Sequence, residues 1–442
     1  MARYRTLFPV EAWMHYIITN IKKVKFMKKI DLCEKCQTFS STTQVGEPMT
    51  MSPDKCSISY RKILTADALA EMEPEWNDLL ARSGVGTIYL TWEYLWTWWN
   101  VYGKEHELCV LTARDEAGAL CGIAPMAVGP GQGKRRFLRH LTFMGGLCDS
   151  TSECQDFIID SPNEDEIITQ FCSMLSEADT PSWDFASLPA VFKQSSVLRK
   201  VRGRLEMLGE PEVQVREAPF AELPCTWDEY LQGRSPKFRS TIQNRLSKLD
   251  KNHQWEYKIA GKDMPLSEAY DILLRLNSLR WGEENQSFHN PEFVEFHRRL
   301  MPLFHAKGWL AMAVLFVDGV AAAVRYDFIY GGKIWGFQGG WETSFAKLSI
   351  GTVMNALTFK WAIEERGLRE YDFGVEVSRY KTEWADCSRD IIDFTVPNPH
   401  SKAAWFFLKA RSIIKQPGQA LSGLPSLGKM VIPELQVLRR LL

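Results

Sequence analysis

Length, composition and charge describe an ordinary globular protein and exclude several other classes. The 442 residues exceed what one hydrophobic core usually supports, so we expect two domains. Basic and acidic side chains number 53 and 54, which excludes a strong overall field toward nucleic acid or membranes. The cysteines are scattered, and the Cys-x-x-Cys pair Cys33/Cys36 has no second pair at zinc spacing. We therefore expect a reduced, cytoplasmic protein that holds no metal.

The chain begins with an extension, residues 1–55, which precedes a first domain predicted over residues 56–217. The extension mixes aromatic residues with lysines, a pattern typical of a frayed end or of an amphipathic helix on a membrane surface. Hydrophobic periodicity and turn residues predict the elements of the domain. In order, they are strand Ser57–Leu64, helices Thr65–Ala81 and Thr87–Tyr102, strands Leu108–Ala113, Ala119–Val128 and Phe137–Met144, helix Asn163–Glu177, strand Trp183–Leu188, helix Ser195–Met207 and extended Glu212–Arg216.

The aromatic segment Thr87–Tyr102 has two interpretations. Leu95, Trp98 and Tyr102 recur at helical spacing and therefore share one face of a helix. Either this face packs into the core, or the helix forms a wall of an acceptor cleft. In the second interpretation Trp92, on another face, contacts the acceptor.

A linker with a basic helix is predicted over residues 218–265. Arg234–Asn252 carries six bases against one acid, and an apolar stripe that includes Ile242 and Leu249 runs along it at helical spacing. Either the bases simply form a solvated face, or they form a cationic rim for phosphates. No recognised nucleic-acid motif accompanies the run, so we do not expect DNA binding.

A second domain is predicted over residues 266–398, followed by a basic and apolar tail, residues 399–442, suited to a membrane or partner contact. The order of elements in the second domain repeats that of the first half. The pattern predicts an α/β (α+β) protein of two similar domains, each a mixed, mostly antiparallel sheet flanked by helices, in preference to one large sheet. The predicted elements are helix Leu266–Trp281 with Ser267 as N-cap, helix Glu292–Ala306, strands Trp309–Val317, Val320–Tyr330 and Lys333–Phe337, helix Ser349–Arg366, a strand at Tyr371–Phe373 and strand Asp390–Val396.

The start of the helix at Ser349 is a candidate phosphate site. Ser349 is predicted to cap the helix, while Gly351 and Thr352 keep the first turn narrow. Free amide groups and the positive end of the helix dipole favour a phosphate there. The residues assigned to cofactor binding are Gln338, Ser349, Ile350, Gly351 and Thr352.

The strand that follows this helix carries the candidate catalytic groups. Tyr371 is predicted to point inward and Asp372 outward, so that the carboxylate orients or deprotonates an acceptor amine or hydroxyl. Glu376 lies four residues further along and is a second candidate. Tyr380 has a hydroxyl that can protonate a departing thiolate. The alternative is structural: Asp372 caps a turn and Tyr380 packs.

These short motifs together resemble one family. The second half is similar to the acetyltransferases of the CelD/BcsL type, linked to cellulose and exopolysaccharide synthesis, within the GNAT superfamily and near the FemAB-like tandem-GNAT proteins. In the first half, Tyr89–Trp99 and Gly122–Met126 resemble an aromatic opening and a hydrophobic strand with proline. The second-half motifs are Leu279-Arg280-Trp281, Val317-Asp318-Gly319 with Ala321-Ala322, Ser349-x-Gly351, Tyr371-Asp372-Phe373, and Tyr380-Lys381 with Trp384.

The resemblance implies two GNAT-like domains with a cleft between them, and acyl transfer from acetyl-CoA to an amine or hydroxyl, often on a sugar. It assigns Trp92, Arg280, Trp281 and Lys381 to the substrate. The usual pyrophosphate loop, Arg/Gln-x-x-Gly-x-Gly/Ala, is here Ala346–Gly351, which departs at the first basic or amide position and at the first glycine. Two alternatives stay open: a FemAB-like aminoacyltransferase, which uses aminoacyl-tRNA, and a non-catalytic scaffold of a polysaccharide-synthesis complex.

Overall fold

The computed structural model describes residues 57–146, 152–177, 179–205, 211–282, 287–375 and 377–415. The strands are β1 (Ser59–Ile63), β2 (Glu107–Arg114), β3 (Leu120–Pro130), β4 (Arg139–Phe143), β5 (Ile158–Ile159), β6 (Phe185–Phe192), β7 (Glu212–Glu222), β8 (Trp255–Ile259), β9 (Leu310–Val317), β10 (Val320–Tyr330), β11 (Lys333–Trp341), β12 (Glu370–Asp372) and β13 (Cys387–Pro397). The helices are α1 (Ala66–Ala70), α2 (Glu73–Arg82), α3 (Trp92–Tyr102), α4 (Glu164–Met174), α5 (Ser196–Leu205), α6 (Trp227–Gln232), α7 (Pro236–Asn252), α8 (Leu266–Trp281), α9 (Pro291–Ala306), α10 (Ile350–Glu364), α11 (Arg379–Trp384) and α12 (Lys402–Lys415).

The strands form a mixed thirteen-stranded sheet with helices on both faces, which confirms the expected α/β class. The preference for two separate sheets over one large sheet was wrong, because strands of both halves pair with each other at the centre. The lateral order is β1-β2-β3-β4-β6-β13-β7-β12-β11-β10-β9-β8, with β5 against β3. Most neighbours are antiparallel, whereas β4/β6 and β11/β12 are parallel. The predicted meander β9-β10-β11 is present with both of its tight turns.

The two halves of the chain are joined at the centre of this sheet. β13, from the end of the second half, pairs with β6 on one side and β7 on the other. β7, from the first half, pairs in turn with β12. Strands of both predicted domains therefore share one sheet. The boundaries proposed from the sequence stay a prediction, and residues 1–55 lie outside the described part of the chain.

Two layers of helices cover the sheet. One face packs against α2, α3, α8 and α9, with Trp76, Tyr94 and Phe296 in its core. The other face packs against α4 and α5 in the first half and against α7 and α10 in the second. The aromatic segment belongs to the first core: Leu95 and Trp98 are almost fully buried. This supports the packing interpretation of α3.

Several local predictions need correction. The expected helix over Thr65–Ala81 is two helices, α1 and α2, because Pro74 at the start of α2 cannot continue an uninterrupted helix. The predicted N-cap Ser267 is wrong: α8 begins at Leu266, as predicted, but Pro265 occupies the N-cap position and Ser267 lies inside the helix. None of the described helices has the length and apolarity needed to cross a bilayer.

Candidate active site

The sheet opens between β11 and β12. The two strands pair in parallel only from Lys333/Glu370 to Trp335/Asp372. β11 then runs on to Trp341, whereas β12 ends at Asp372 and the chain turns away at Gly374, whose φ of +72° favours glycine. One edge of β11 therefore continues without β12 beside it.

A β-bulge accompanies this opening. Across the β10–β11 pair, Tyr326 faces Gln338 and Phe328 faces Trp335, so Gly336 and Phe337 together oppose Asp327. An extra residue of this kind bends the strand and increases its twist. The bulge lies where β11 and β12 part, and it re-aims the edge of β11 from Gly336 onward.

A buried ion pair holds the bulge. Asp327 is fully buried, and its Oδ1 accepts hydrogen bonds from the backbone amide of Phe337 (2.9 Å) and from Arg325 Nη2 (2.6 Å). Its Oδ2 accepts from Arg325 Nε (3.1 Å) and from the Tyr371 hydroxyl (2.8 Å). The carboxylate thus ties the bulged amide to β10 and to β12. The sequence carried a signal for this pair, since two charged residues at i and i+2 share one face of an otherwise apolar strand.

A cavity of about 420 Å³ lies between the open part of β11, the start of α10 and α11. Seven of the residues assigned from the sequence to cofactor, substrate or catalysis line it. They are Arg280, Gln338, Ser349, Ile350, Gly351, Thr352 and Tyr380. The Arg280 guanidinium lies 5.2 Å from the ring centre of Trp341, another lining residue, which is a cation–π contact at the rim.

The start of α10 lies at this cavity, whose lining includes Ser349, Ile350, Gly351 and Thr352. Ser349 has left-handed backbone angles (φ 52°, ψ 48°), and its side chain makes no capping hydrogen bond, so the predicted side-chain cap is wrong. Its carbonyl accepts from the Thr352 amide at 2.8 Å. Ile350 and Gly351 occupy the first two helical positions, whose amides have no acceptor within the helix. A β-carbon on Gly351 would lie 3.5 Å from Trp341, which is an ordinary contact.

A close approach between β11 and α8 forms the back of the site. A β-carbon on Gly340 would lie 2.4 Å from backbone atoms of both Leu276 and Asn277. The Asn277 side chain donates to the Gly339 carbonyl at 3.0 Å and to Gln338 Oε1 at 3.3 Å. Only glycine at position 340 allows α8 to sit this close, and the amide of Asn277 orients the strand edge.

Tyr380 is the catalytic candidate that reaches the cavity. It lies in the first turn of α11 and is 43% exposed. Partial burial raises its pKa, so the hydroxyl is protonated at neutral pH and can donate a proton or a hydrogen bond. Lys381, next to it, donates to the Val375 carbonyl at 3.0 Å.

Asp372 is placed differently from the expectation. It does not point outward to solvent but is almost fully buried, and it is not among the residues that line the cavity. Its Oδ1 accepts from the Gly374 amide at 2.7 Å, and its Oδ2 pairs with Arg389 Nη1 at 3.2 Å. Burial raises its pKa, against the opposing effects of those two partners. These contacts resemble the turn-capping alternative.

The remaining assigned residues fall elsewhere. Trp92, the first residue of α3, is buried in the core and stacks on Trp96 of the same helix. Glu376 lies outside the described residues, as does the Trp281 side chain. The described ranges contain no group of three or more histidine, cysteine, aspartate or glutamate residues suited to a metal ion.

A second cavity, of about 620 Å³, went unnoticed in the sequence. Its lining joins Asp156 and Ser195 of the first half to Lys333 and Arg389 of the second. Burial raises the pKa of Asp156 to about 7, although hydrogen bonds from Ser195 and from the Phe157 amide oppose the shift. Its residues are distant in sequence, so no local motif could have revealed the cavity.

Comparison with known proteins adds a family match and similar folds. Residues 236–382 match the family model of the acetyltransferase (GNAT) domain, a range that includes the basic helix α7. The fold is similar to that of FemX, with a TM-score of 0.54 at 11% identity over 79% of this chain and 99% of FemX. It is also similar to L-PGS from Bacillus licheniformis (TM-score 0.46, 10% identity, 76% of this chain and 96% of that one). No curated protein matches the sequence.

Proposed function

We propose that this chain, an acyltransferase with a GNAT acetyltransferase domain at residues 236–382, transfers an acetyl group from acetyl-CoA to a sugar or polysaccharide-related acceptor. The observation that carries the proposal is the cavity where the bulged, open edge of β11 meets the start of α10. A strand edge can pair with an extended amide-containing ligand, and a helix start can hold a phosphate. Acyl-CoA carries both groups in one molecule.

Each part of the cavity has a proposed role. The amides of Ile350 and Gly351 bind the pyrophosphate, and the part of β11 that extends beyond β12, at Gln338, pairs with the amide-containing arm. The thioester then lies beside Tyr380, whose hydroxyl protonates the departing thiolate. Rate enhancement comes mainly from positioning the acceptor against the thioester and excluding water. The acceptor enters as an amine or a hydroxyl.

The test is acetyl-CoA binding measured by calorimetry on the wild type and on two matched glycine-to-glutamate variants. Gly351→Glu places a carboxylate in the proposed phosphate site. Gly203→Glu places the same side chain on α5, where nothing lies within 4 Å of the new β-carbon. We expect Gly351→Glu to weaken binding at least about tenfold, roughly 1.4 kcal/mol, and Gly203→Glu to bind normally. Absence of heat from the wild type at millimolar acetyl-CoA would refute the proposal.

A second candidate donor is aminoacyl-tRNA, the donor of the FemAB-like alternative. The observation that favours it is the basic helix α7, which packs through Ile242 and Leu249 while Lys237, Lys248 and Lys251 stay exposed. Such a face can contact a polyanion, with affinity that falls as salt rises. Binding of charged tRNA in place of acetyl-CoA, lost when these lysines are replaced by glutamine, would favour this donor.

A further inference from the structure

Large aromatic rings are exposed at α12 and just before β4. Trp405 and Phe406 of α12 are 55% and 42% exposed, and their ring centres lie 5.0 Å apart in an edge-to-face contact. Phe137, two residues before β4, is 63% exposed. A surface with several large rings in water indicates a contact with a partner or with a membrane.

The segment before β4 packs against the inner face of α12, which brings these rings into one region. Leu138 and Ala404 belong to the same small core, and Phe407 lies against it. The Arg135 guanidinium lies 5.6 Å from the centre of the Phe407 ring. Phe137, bonded to Leu138, is therefore close to the helix that carries the exposed pair. We refer to the three exposed rings as the aromatic surface.

Polar contacts hold α12 in this position without the exposed rings. Glu212, at the start of β7, accepts from Arg135 Nη2 at 2.7 Å and also pairs with Arg411. The Ser401 hydroxyl donates to Asp184, and its oxygen accepts from the amide of α12 at position 404 at 3.0 Å. The helix is thus fixed by its inner face and its first turn, and the outer rings are not what attaches it to the protein.

Bases surround the aromatic surface, and acids are missing from its two segments. Residues 131–140 include four bases, and residues 401–411 include three, with no acid in either segment. Two of these bases, Arg135 and Arg411, are used by Glu212. Four others are exposed and take part in no ion pair within the described part of the chain: Lys134, Arg136, Lys402 and Lys409. The surface therefore offers unpaired positive charge to an anionic partner.

Rings and bases face the same way. Positions 402, 405, 406 and 409 follow each other at i, i+3, i+4 and i+7, so they share the outer face of α12. Lys409 Nζ lies 5.9 Å from the ring centre of Trp405, and the Arg136 guanidinium lies 4.4 Å from that of Phe137. Long basic side chains can lie along an apolar surface and keep their charge at its edge. This arrangement suits an interface that is apolar inside and anionic at its rim.

We propose that the outer face of α12, together with residues 134–137, binds the surface of a membrane that contains anionic lipids. The rings enter the headgroup region, where tryptophan is favoured, and the bases lie beside the lipid phosphates. A single nucleic-acid strand is also anionic, but its stacked bases need parallel ring faces. The rings of Trp405 and Phe406 stand at 81° to each other, which favours the membrane. This contact goes beyond acyl transfer and does not depend on it.

The experiment is co-sedimentation of the full chain with vesicles of phosphatidylcholine alone and of phosphatidylcholine mixed with phosphatidylglycerol, at low and at high salt. One test variant combines Trp405→Ser with Phe406→Ser, and the other combines Lys402→Gln with Lys409→Gln. The matched controls are Leu303→Ser with Val320→Ser, at positions 41% and 46% exposed, and Lys248→Gln with Lys251→Gln, on the exposed face of α7. Thermal unfolding is measured on every variant.

A second measurement locates the contact. Phosphatidylcholine with brominated acyl chains, mixed into the anionic vesicles, quenches the fluorescence of tryptophans that lie at the bilayer. Trp405→Phe keeps an aromatic ring at this position but removes its indole. We expect this variant to bind the anionic vesicles and to lose the quenching that the wild type shows.

We expect the wild type to bind the anionic vesicles at low salt and to be released at high salt. Each test variant should weaken partitioning about tenfold or more, because interfacial rings and bases near the surface both contribute to it. Both control variants should bind like the wild type. A wild type that does not sediment with anionic vesicles overturns the proposal, and so does an equal loss in the control variants or unchanged quenching in Trp405→Phe. Binding of a single-stranded oligonucleotide without vesicle binding would assign the surface to nucleic acid instead.

Discussion

Asp327→Asn removes the one buried charge that ties the bulge of β11 to its neighbours. The carboxylate accepts from Arg325 through two nitrogens, from the Phe337 amide and from the Tyr371 hydroxyl. Asparagine keeps the shape but offers one acceptor oxygen in place of two. It also leaves the Arg325 guanidinium buried beside a neutral amide.

The size of the effect follows from burial. Asp327 has no exposed side-chain surface, and Arg325 is 15% exposed. Removing one partner of a buried ion pair costs about 3–5 kcal/mol. Because Arg325 lines the cavity and keeps some access to solvent, we expect the lower end, about 3 kcal/mol of unfolding free energy. The bulge should also relax, which weakens binding of acetyl-CoA.

Urea unfolding gives the free energy, and calorimetry gives the affinity for acetyl-CoA. Glu295→Gln is the matched control, because its ion pair with Arg299 has the same 2.6 Å contact but is 41% and 53% exposed. An exposed pair of this kind is worth about 0.3–0.5 kcal/mol. The double variant Arg325→Gln with Asp327→Asn removes both charges of this pair and should be more stable than Asp327→Asn alone.

Two results would refute this reasoning. One is a loss of stability in Asp327→Asn no larger than that in Glu295→Gln. The other is a double variant less stable than Asp327→Asn, which would mean that the buried Arg325 charge is not what makes the single change costly. Full affinity for acetyl-CoA in a clearly destabilised Asp327→Asn would separate the bulge from ligand binding.

Two further outcomes test the site and its surroundings. Gly340→Ala should lower the free energy of unfolding in urea by about 1–3 kcal/mol or more, because its β-carbon meets the backbone of Leu276. Gly351→Ala should leave this free energy unchanged. Equal losses in the two variants would contradict the close approach of β11 to α8. Asp156 has a folded-state pKa of about 7 against 3.8 for the ordinary group, so folding takes up a proton between these values. Its contribution to stability is therefore lost as pH rises through about 7, and Asp156→Asn should raise the Tm there and not below about pH 4. A Tm gain independent of pH would show that the shift in pKa is not the cause.

The sequence was informative wherever the structure depends on residues that are neighbours in the chain. Asp318-Gly319 and Gly331-Gly332 predicted two tight hairpins, and all four residues have positive φ. Turn chemistry of this kind depends on a few adjacent residues. The apolar stripe of α7 and the polar start of α10 were also recognisable, because helical periodicity is a property of neighbours in the chain.

Local pattern was less informative about what each residue faces. Alternation put Tyr371 and Asp372 on opposite faces of β12, which the structure bears out, but it could not tell that both faces are covered. Asp372 is buried because Arg389, from the next strand in the chain, reaches it. The side chain of Ser349 failed to cap because a left-handed backbone, set by the turn before α10, directs it away.

The sequence by itself determined most of the elements and the segment that carries the cavity, since propensity, turns and periodicity act over a few residues. It missed the short elements α6, β8 and α11. Only the tertiary structure decided that β13 inserts between β6 and β7, that Asp327 meets the amide of Phe337, and that Glu153 reaches Val375. Glu153 and Val375 are separated by 222 positions along the chain. Their contact depends on how the whole sheet is assembled. The hydrogen bonds between strands are the same for any strand that fits the register, so no short motif encodes this contact.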